Sequence, residues 1–168
     1  MKIQQIIFGS DYYFQTLKIR DLVLRKPLGL QLTPADTATD PQDIYFAILI
    51  DEQSQNKAGQ EVVGPDKLAK KQHDQAKQVI GCLGLTATDV PYILRMKQVA
   101  IHPQYQKQGL GIQLVTTAET YAKQNHVHEI TLRARVEVME FYQKLGYQPY
   151  GEVFESVSLP HLNMKKKL

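Results

Sequence analysis

Two glycines set one residue apart, Gly109 and Gly111, lie in the stretch V-A-I-H-P-Q-Y-Q-K-Q-G-L-G-I from Val99 to Ile112. Lacking a Cβ, glycine lets a ligand come close to the backbone. Leu110, Leu114, Ala118, Tyr121 and Ala122 then recur at helical spacing, so the glycines stand at a helix start. The first N–H groups of a helix have no partner within it, and the positive end of the helix dipole lies there. Such a place suits a phosphate or pyrophosphate; the plain alternative is a helix start that holds nothing. Two other glycine loops fit poorly. A Walker loop needs Gly-Lys-Ser/Thr, whereas Ile112-Gln113 follows Gly111. A dinucleotide fingerprint needs a third glycine where Leu114 stands.

Gln106-x-x-Gly109-x-Gly111 resembles the Q/R-x-x-G-x-G/A loop of the GCN5-related N-acetyltransferases. Glu140-Phe141-Tyr142-Gln143-Lys144-Leu145-Gly146-Tyr147 resembles the F-Y-x-K-x-G-F/Y segment that follows the fifth strand of that family. The resemblance implies acetyl-CoA as co-substrate, its pyrophosphate held by Gln106, Lys107, Gln108, Gly109, Leu110, Gly111 and Ile112. It implies that Tyr142 lies near the CoA sulfur as general acid. A phenol with a pKa of about 10 can protonate a thiolate formed beside it, although a tyrosine here can also be a packed aromatic. Val99, Ala100 and Ile101 fall where the family splays two strands apart. Their backbone groups would bond the pantetheine arm, and the N–H at Val99 would polarise the thioester carbonyl. Arg135 stands where the family often carries an asparagine on pantetheine; an arginine there points to the phosphates instead.

A general base is harder to find. Relatives often use a glutamate on the fourth or fifth strand, but the fourth strand here carries Arg95 and Lys97 and no carboxylate. His102 ends that strand in a His-Pro pair that is common in the family without a base role. The C-terminal G-E-x-F and P-H-x-x-M segments resemble one branch of the family, and His161 within them either lines the acceptor side or is a strand histidine held by a backbone bond. Arg20, Arg25 and Lys97 are candidates for an acidic feature of the acceptor; for Arg20 the plain reading is a snorkelling arginine at the core edge. His126 and His128 share a strand face, yet no third metal ligand is in view, so no metal is expected. Cys82, the sole cysteine, lies in an apolar run and reads as a buried thiol, not a nucleophile.

The elements that must position these groups follow from pattern. Ile3 to Phe8 reads as a strand, and Ser10 as the cap of a helix that Pro27 ends, with Tyr13, Leu17 and Leu24 on one face and Phe14 beside them. Residues 28–42 are loop-like. Ile44 to Ile50 and Val79 to Thr86 are strands, joined by a polar insertion at about 51–77 that reads as mobile or partly helical near 66–75. Tyr92 to Ile101 is a fourth strand. Glu129 to Ala134 alternates as a half-buried strand, Val138 to Leu145 is a short helix closed by Gly146, and Tyr147 to Val153 and Val157 to Lys165 are two more strands. The order β-α-β-β-β-α-β-α-β-β predicts an α+β domain with a central mixed sheet of about seven strands.

The chain has 168 residues, a length that suggests one domain, 1–168. Its composition, 43% apolar and 22% charged, is that of a globular protein. A net charge of +3 is too small to argue for nucleic acid. No apolar stretch is long enough to span a membrane and no signal peptide is visible, so a cytoplasmic location is expected. Taken together, an acetyl-CoA-dependent N-acetyltransferase is expected, acting by direct attack of a small-molecule or peptide amine, with a homodimer left open. The rival is a CoA-binding sensor or partner module with little or no catalysis.

Overall fold

A computed structural model describes residues 1–51 and 77–168. The polar insertion expected at about 51–77 falls, but for its two end residues, outside the described residues. Seven strands form one sheet: β1 (Lys2–Ile6), β2 (Ile44–Asp51), β3 (Lys77–Ala87), β4 (Ile93–Ile101), β5 (Glu129–Arg135), β6 (Gln148–Ser156) and β7 (Leu159–Lys167). Their spatial order is β1-β2-β3-β4-β5-β7-β6. All neighbours are antiparallel except β4 and β5. A parallel pair requires a crossover, supplied here by α2 (Leu110–Gln124).

The sheet buries a separate core on each face. On one, Leu114, Val115, Ala118 and Ala122 of α2 pack against Ile48, Leu83, Met96, Ile130 and Leu132, with Tyr142 of α3 (Met139–Lys144) at the rim. On the other, Tyr13 and Ile19 of α1 (Asp11–Arg20) pack on Tyr45, Ala47 and Cys82. Ser10 caps α1 as expected, accepting a hydrogen bond from the Tyr13 N–H.

Pro27 does not end this helical run. It continues through a π turn at Asp21–Arg25 and a 3₁₀ turn at Lys26–Leu28. Proline is tolerated there because it sits in the first turn of the new segment, where its missing N–H is not needed; Gly29, with φ at +70°, closes it. Phe14 lies beside that face as expected, its ring edge-on to Tyr13 at 5.6 Å between centroids, with its outer side exposed.

Candidate active site

Two irregularities in β4 create the site. The first is a bulge: Ala100 pairs with Cys82 and Lys97 with Gly84, so Gln98 and Val99 together oppose the single residue Leu83. Gln98 adopts φ +56°. A bulge re-aims the side chains beyond it. Leu94 and Met96 face the α2 core before the bulge; beyond it Val99 and Ile101 face that core and Ala100 faces the other. The second is loss of pairing. β4 and β5 are joined from Ile93–Glu129 to Met96–Leu132 and no further. The backbone of Val99, Ala100 and Ile101 therefore diverges from Arg133–Arg135, as the resemblance implied.

A cavity of about 360 Å³ fills the divergence. Met96 to Val99 line one side and Leu132 to Arg135 the other; Tyr142, His161 and Arg25 are also among the lining residues. Tyr142 is only 8% exposed. Burial pushes its phenol up to about 12, so it stays protonated at neutral pH. Its position depends on Gly146, whose positive φ turns the chain sharply after α3 and lets the Tyr147 N–H bond back to the Tyr142 carbonyl. The His161 ring lies beside a carbonyl, with Nδ1 2.9 Å from the Leu159 oxygen. A carbonyl only accepts, so Nδ1 carries the proton, and Nε2 of the neutral ring keeps its lone pair.

The glycine loop sits at the α2 start. Lys107 and Gly109 have φ of +60° and +76°, a left-handed backbone that Gly109 adopts without strain. A Cβ at Gly109 would meet open space, whereas one at Gly111 would come within 3.3 Å of the Phe141 ring. The two glycines thus serve different ends: Gly109 makes the turn, and Gly111 lets α3 pack against the first turn of α2. The N–H groups of Leu110, Gly111 and Ile112 begin α2 and have no partner within it. Gln106 Nε2 donates to the Ile101 carbonyl at 2.9 Å, tying the loop to the end of β4. Gln108 is turned back to the Gln104 carbonyl, and Lys107 is exposed.

The cationic candidates separate. Arg20 leaves the groove entirely: it is fully buried and donates through Nη1 to Asp40 Oδ2 at 2.5 Å. The residue sits within α1, where its guanidinium finds a carboxylate 20 positions away instead of solvent. Asp40 also accepts from the hydroxyls of Tyr13 (2.8 Å) and Tyr45 (2.7 Å). Burial alone would raise the Asp40 pKa, but hydrogen bonds from Arg20, Tyr45 and Tyr13 outweigh it and hold the carboxyl below the usual carboxylate range. Burial and Asp40 together push the Tyr13 phenol up to about 12. Lys97 lines the cavity but pairs with Asp43 and, at 3.4 Å, with Asp40. Arg25 lines it while bonded to Asp36 at 2.5 Å. Arg135 reaches the Leu24 carbonyl and Glu137, so its guanidinium lies against the π turn at Asp21–Arg25.

Asp40 and Asp43 are the residues that sequence reasoning missed. They sit in a Pro- and Asp-rich loop whose partners lie on α1 and β4, and nothing local marks them. Elsewhere, His102 accepts from the Gln104 N–H, and His126 and His128 are exposed. Among the described residues no cluster of His, Cys, Asp or Glu could hold a metal ion. Cys82 is buried, and burial pushes its thiol up to about 12. Among the same residues no helix is long and apolar enough to cross a membrane.

Comparison with known proteins bears on this geometry. The family model described as the acetyltransferase (GNAT) domain matches residues 45–168. The Bacillus subtilis protein YyaT, itself uncharacterized, is 30% identical over 79 residues, covering 47% of this chain and 53% of that protein. The chain thus spans about half the length of the curated relatives it matches. An acyl-CoA N-acyltransferase from Pseudomonas aeruginosa superposes with a TM-score of 0.72 at 16% identity, covering 98% of each chain. A GNAT family acetyltransferase from Elizabethkingia anophelis, solved with acetyl-CoA bound, gives 0.64 at 14% identity, covering 99% of this chain and 97% of that one. At these identities the likeness is one of fold.

Proposed function

The chain belongs to the GNAT acetyltransferase family, and from that premise we propose that it moves an acetyl group from acetyl-CoA to a primary amine by direct attack. The observation that carries the reading is the cavity between β4 and β5, which brings Val99 of the bulge and Tyr142 of α3 to one space. In this reading the free N–H groups of residues 110–112 bind the pyrophosphate. The edge of β4 at Val99 to Ile101, which no longer pairs with β5, takes the pantetheine arm as an added strand. An N–H at Val99 polarises the thioester carbonyl.

The amine loses its proton, its nitrogen bonds to the carbonyl carbon, and the carbon–sulfur bond breaks. Tyr142 gives its proton to the departing thiolate and regains one from solvent. Among the described residues the cavity wall holds no carboxylate. His161 lines the same wall, and the Nε2 lone pair left by the Nδ1 contact with the Leu159 carbonyl suits it to receive the amine proton.

Release of CoA thiol, followed over a panel of amines, tests the proposal. Turnover is expected on at least one amine. Tyr142→Phe should lower kcat by on the order of 10²-fold or more with little change in KM, the usual worth of a positioned acid. Tight CoA binding with no turnover on any amine would instead favour a CoA-binding module.

A further inference from the structure

The chain has five arginines. Three are held by carboxylates: Arg20 by Asp40, Arg25 by Asp36 and Arg135 by Glu137. The other two, Arg95 and Arg133, form no ion pair among the described residues. They are also neighbours. Arg95 pairs with Thr131 across the parallel β4–β5 ladder, and Arg133 lies two residues further along β5, on the same face and about 7 Å on. Both line two further cavities that adjoin the active-site cavity through Met96, Lys97, Gln98 and Arg133. Arg95 is half-buried. Arg133 is exposed, its guanidinium 5.8 Å from the Phe154 ring.

Of the cations on the walls of these three cavities, Arg25, Lys97 and Arg135 are paired with carboxylates, which leaves Arg95, Arg133 and Lys165 against one carboxylate, Glu129. A concave surface of one sign raises the local concentration of the opposite charge. A forked guanidinium is suited to carboxylate or phosphate. This face is the one opposite the α2 core, because Met96 and Leu132, between the arginine positions, point into that core.

From this we propose that the acceptor is an anionic amine, whose carboxylate or phosphate is bound by Arg95 and Arg133 while its nitrogen reaches the β4 bulge. Four residues of strand separate Arg95 from Val99, roughly 13 Å. The anion therefore sits within about four residues of extended peptide of the reacting nitrogen. Lys165 and Asn163 on β7 extend the same wall. The proposal rests on the acetyl-transfer reading for the reacting end of the acceptor, but the anion site itself does not.

Four C-terminally amidated peptides test it: Ala-Asp-Asp-Ala, Ala-Asn-Asn-Ala, Ala-Lys-Lys-Ala and a phosphoserine version of the first. Binding in the presence of CoA and acetylation in the presence of acetyl-CoA are measured separately. The acidic or phosphorylated peptide should bind at least about tenfold more tightly than the neutral one, as expected of two charge-assisted contacts, and the lysine peptide more weakly still. Whichever of the two anionic peptides binds more tightly identifies the anion. Arg95→Gln and Arg133→Gln should each cut the acidic-to-neutral preference about fivefold, seen in KM rather than kcat, in proteins whose melting temperature is kept.

Equal binding of acidic, neutral and basic peptides would overturn the proposal. So would arginine variants that weaken all peptides alike. Preferential binding of the acidic peptide with no acetylation of any amine would support the anion site and overturn the acetyl-transfer reading alone.

Discussion

Replacing Asp40 by Asn removes the charge on which four donors converge. In the native protein the carboxylate receives Arg20 Nη1, the Tyr13 and Tyr45 hydroxyls and Lys97 Nζ, and both Asp40 and Arg20 are fully buried. The variant leaves the Arg20 guanidinium buried without its counter-charge, a loss of about 3–5 kcal/mol where one partner of a buried pair is removed. For a domain with roughly 5–15 kcal/mol in total, that is a large fraction. With a urea m value of about 2 kcal/mol/M, the unfolding midpoint should fall by roughly 2 M.

The pH dependence has a definite sign. Asp40's pKa is depressed in the fold, so its stabilisation is fully present above the unfolded value of about 4 and is lost as pH falls through the lower folded value. The gap between wild type and Asp40→Asn should therefore be constant from pH 5 to 8 and narrow below about pH 4. The double variant Arg20→Met with Asp40→Leu should recover much of the loss, because a packed apolar pair no longer strands a charge. A midpoint shift equivalent to less than about 1 kcal/mol, or a gap that does not narrow in acid, would refute the role given to this buried cluster.

Two further outcomes are expected. Cys82, buried with its thiol pushed up to about 12, should react with an aromatic disulfide reagent only as fast as the protein opens, and at once in denaturant; rapid stoichiometric labelling of the native protein would contradict its burial. Gly111→Val should cost about 1–3 kcal/mol by overpacking against Phe141, read from thermal melts, and should weaken acetyl-CoA binding by at least tenfold; unaltered affinity would show that the first turn of α2 does not meet the ligand.

Much of this was legible because it is local. The alternation of Ile130, Leu132 and Ala134 against Thr131, Arg133 and Arg135 marks β5 almost to the residue. The glycine pair stands at the start of α2 and Tyr142 on the short helix after β5, the elements that the local pattern predicts. What escaped depends on distant partners. Arg20 reads as a helix-face cation until Asp40 is brought to it by the Pro34–Gln42 turns. The π turn at Asp21–Arg25 carries the chain to Pro27 in a phase that a 3.6-residue period does not anticipate. The bulge at Gln98 changes which face Val99 and Ala100 present, with no glycine to announce it. The last hairpin turns at Val157-Ser158, both at positive φ, so its strands run from Gln148 to Ser156 and from Leu159 to Lys167, later than their residue pattern predicts.

Isothermal titration of the folded protein with acetyl-CoA addresses the central claim most directly. Saturable one-to-one binding that is lost or much weakened in Gly111→Val is expected if bare amides at the α2 start grip the pyrophosphate. Absence of binding heat at several temperatures, from protein whose melting transition is intact, would contradict it.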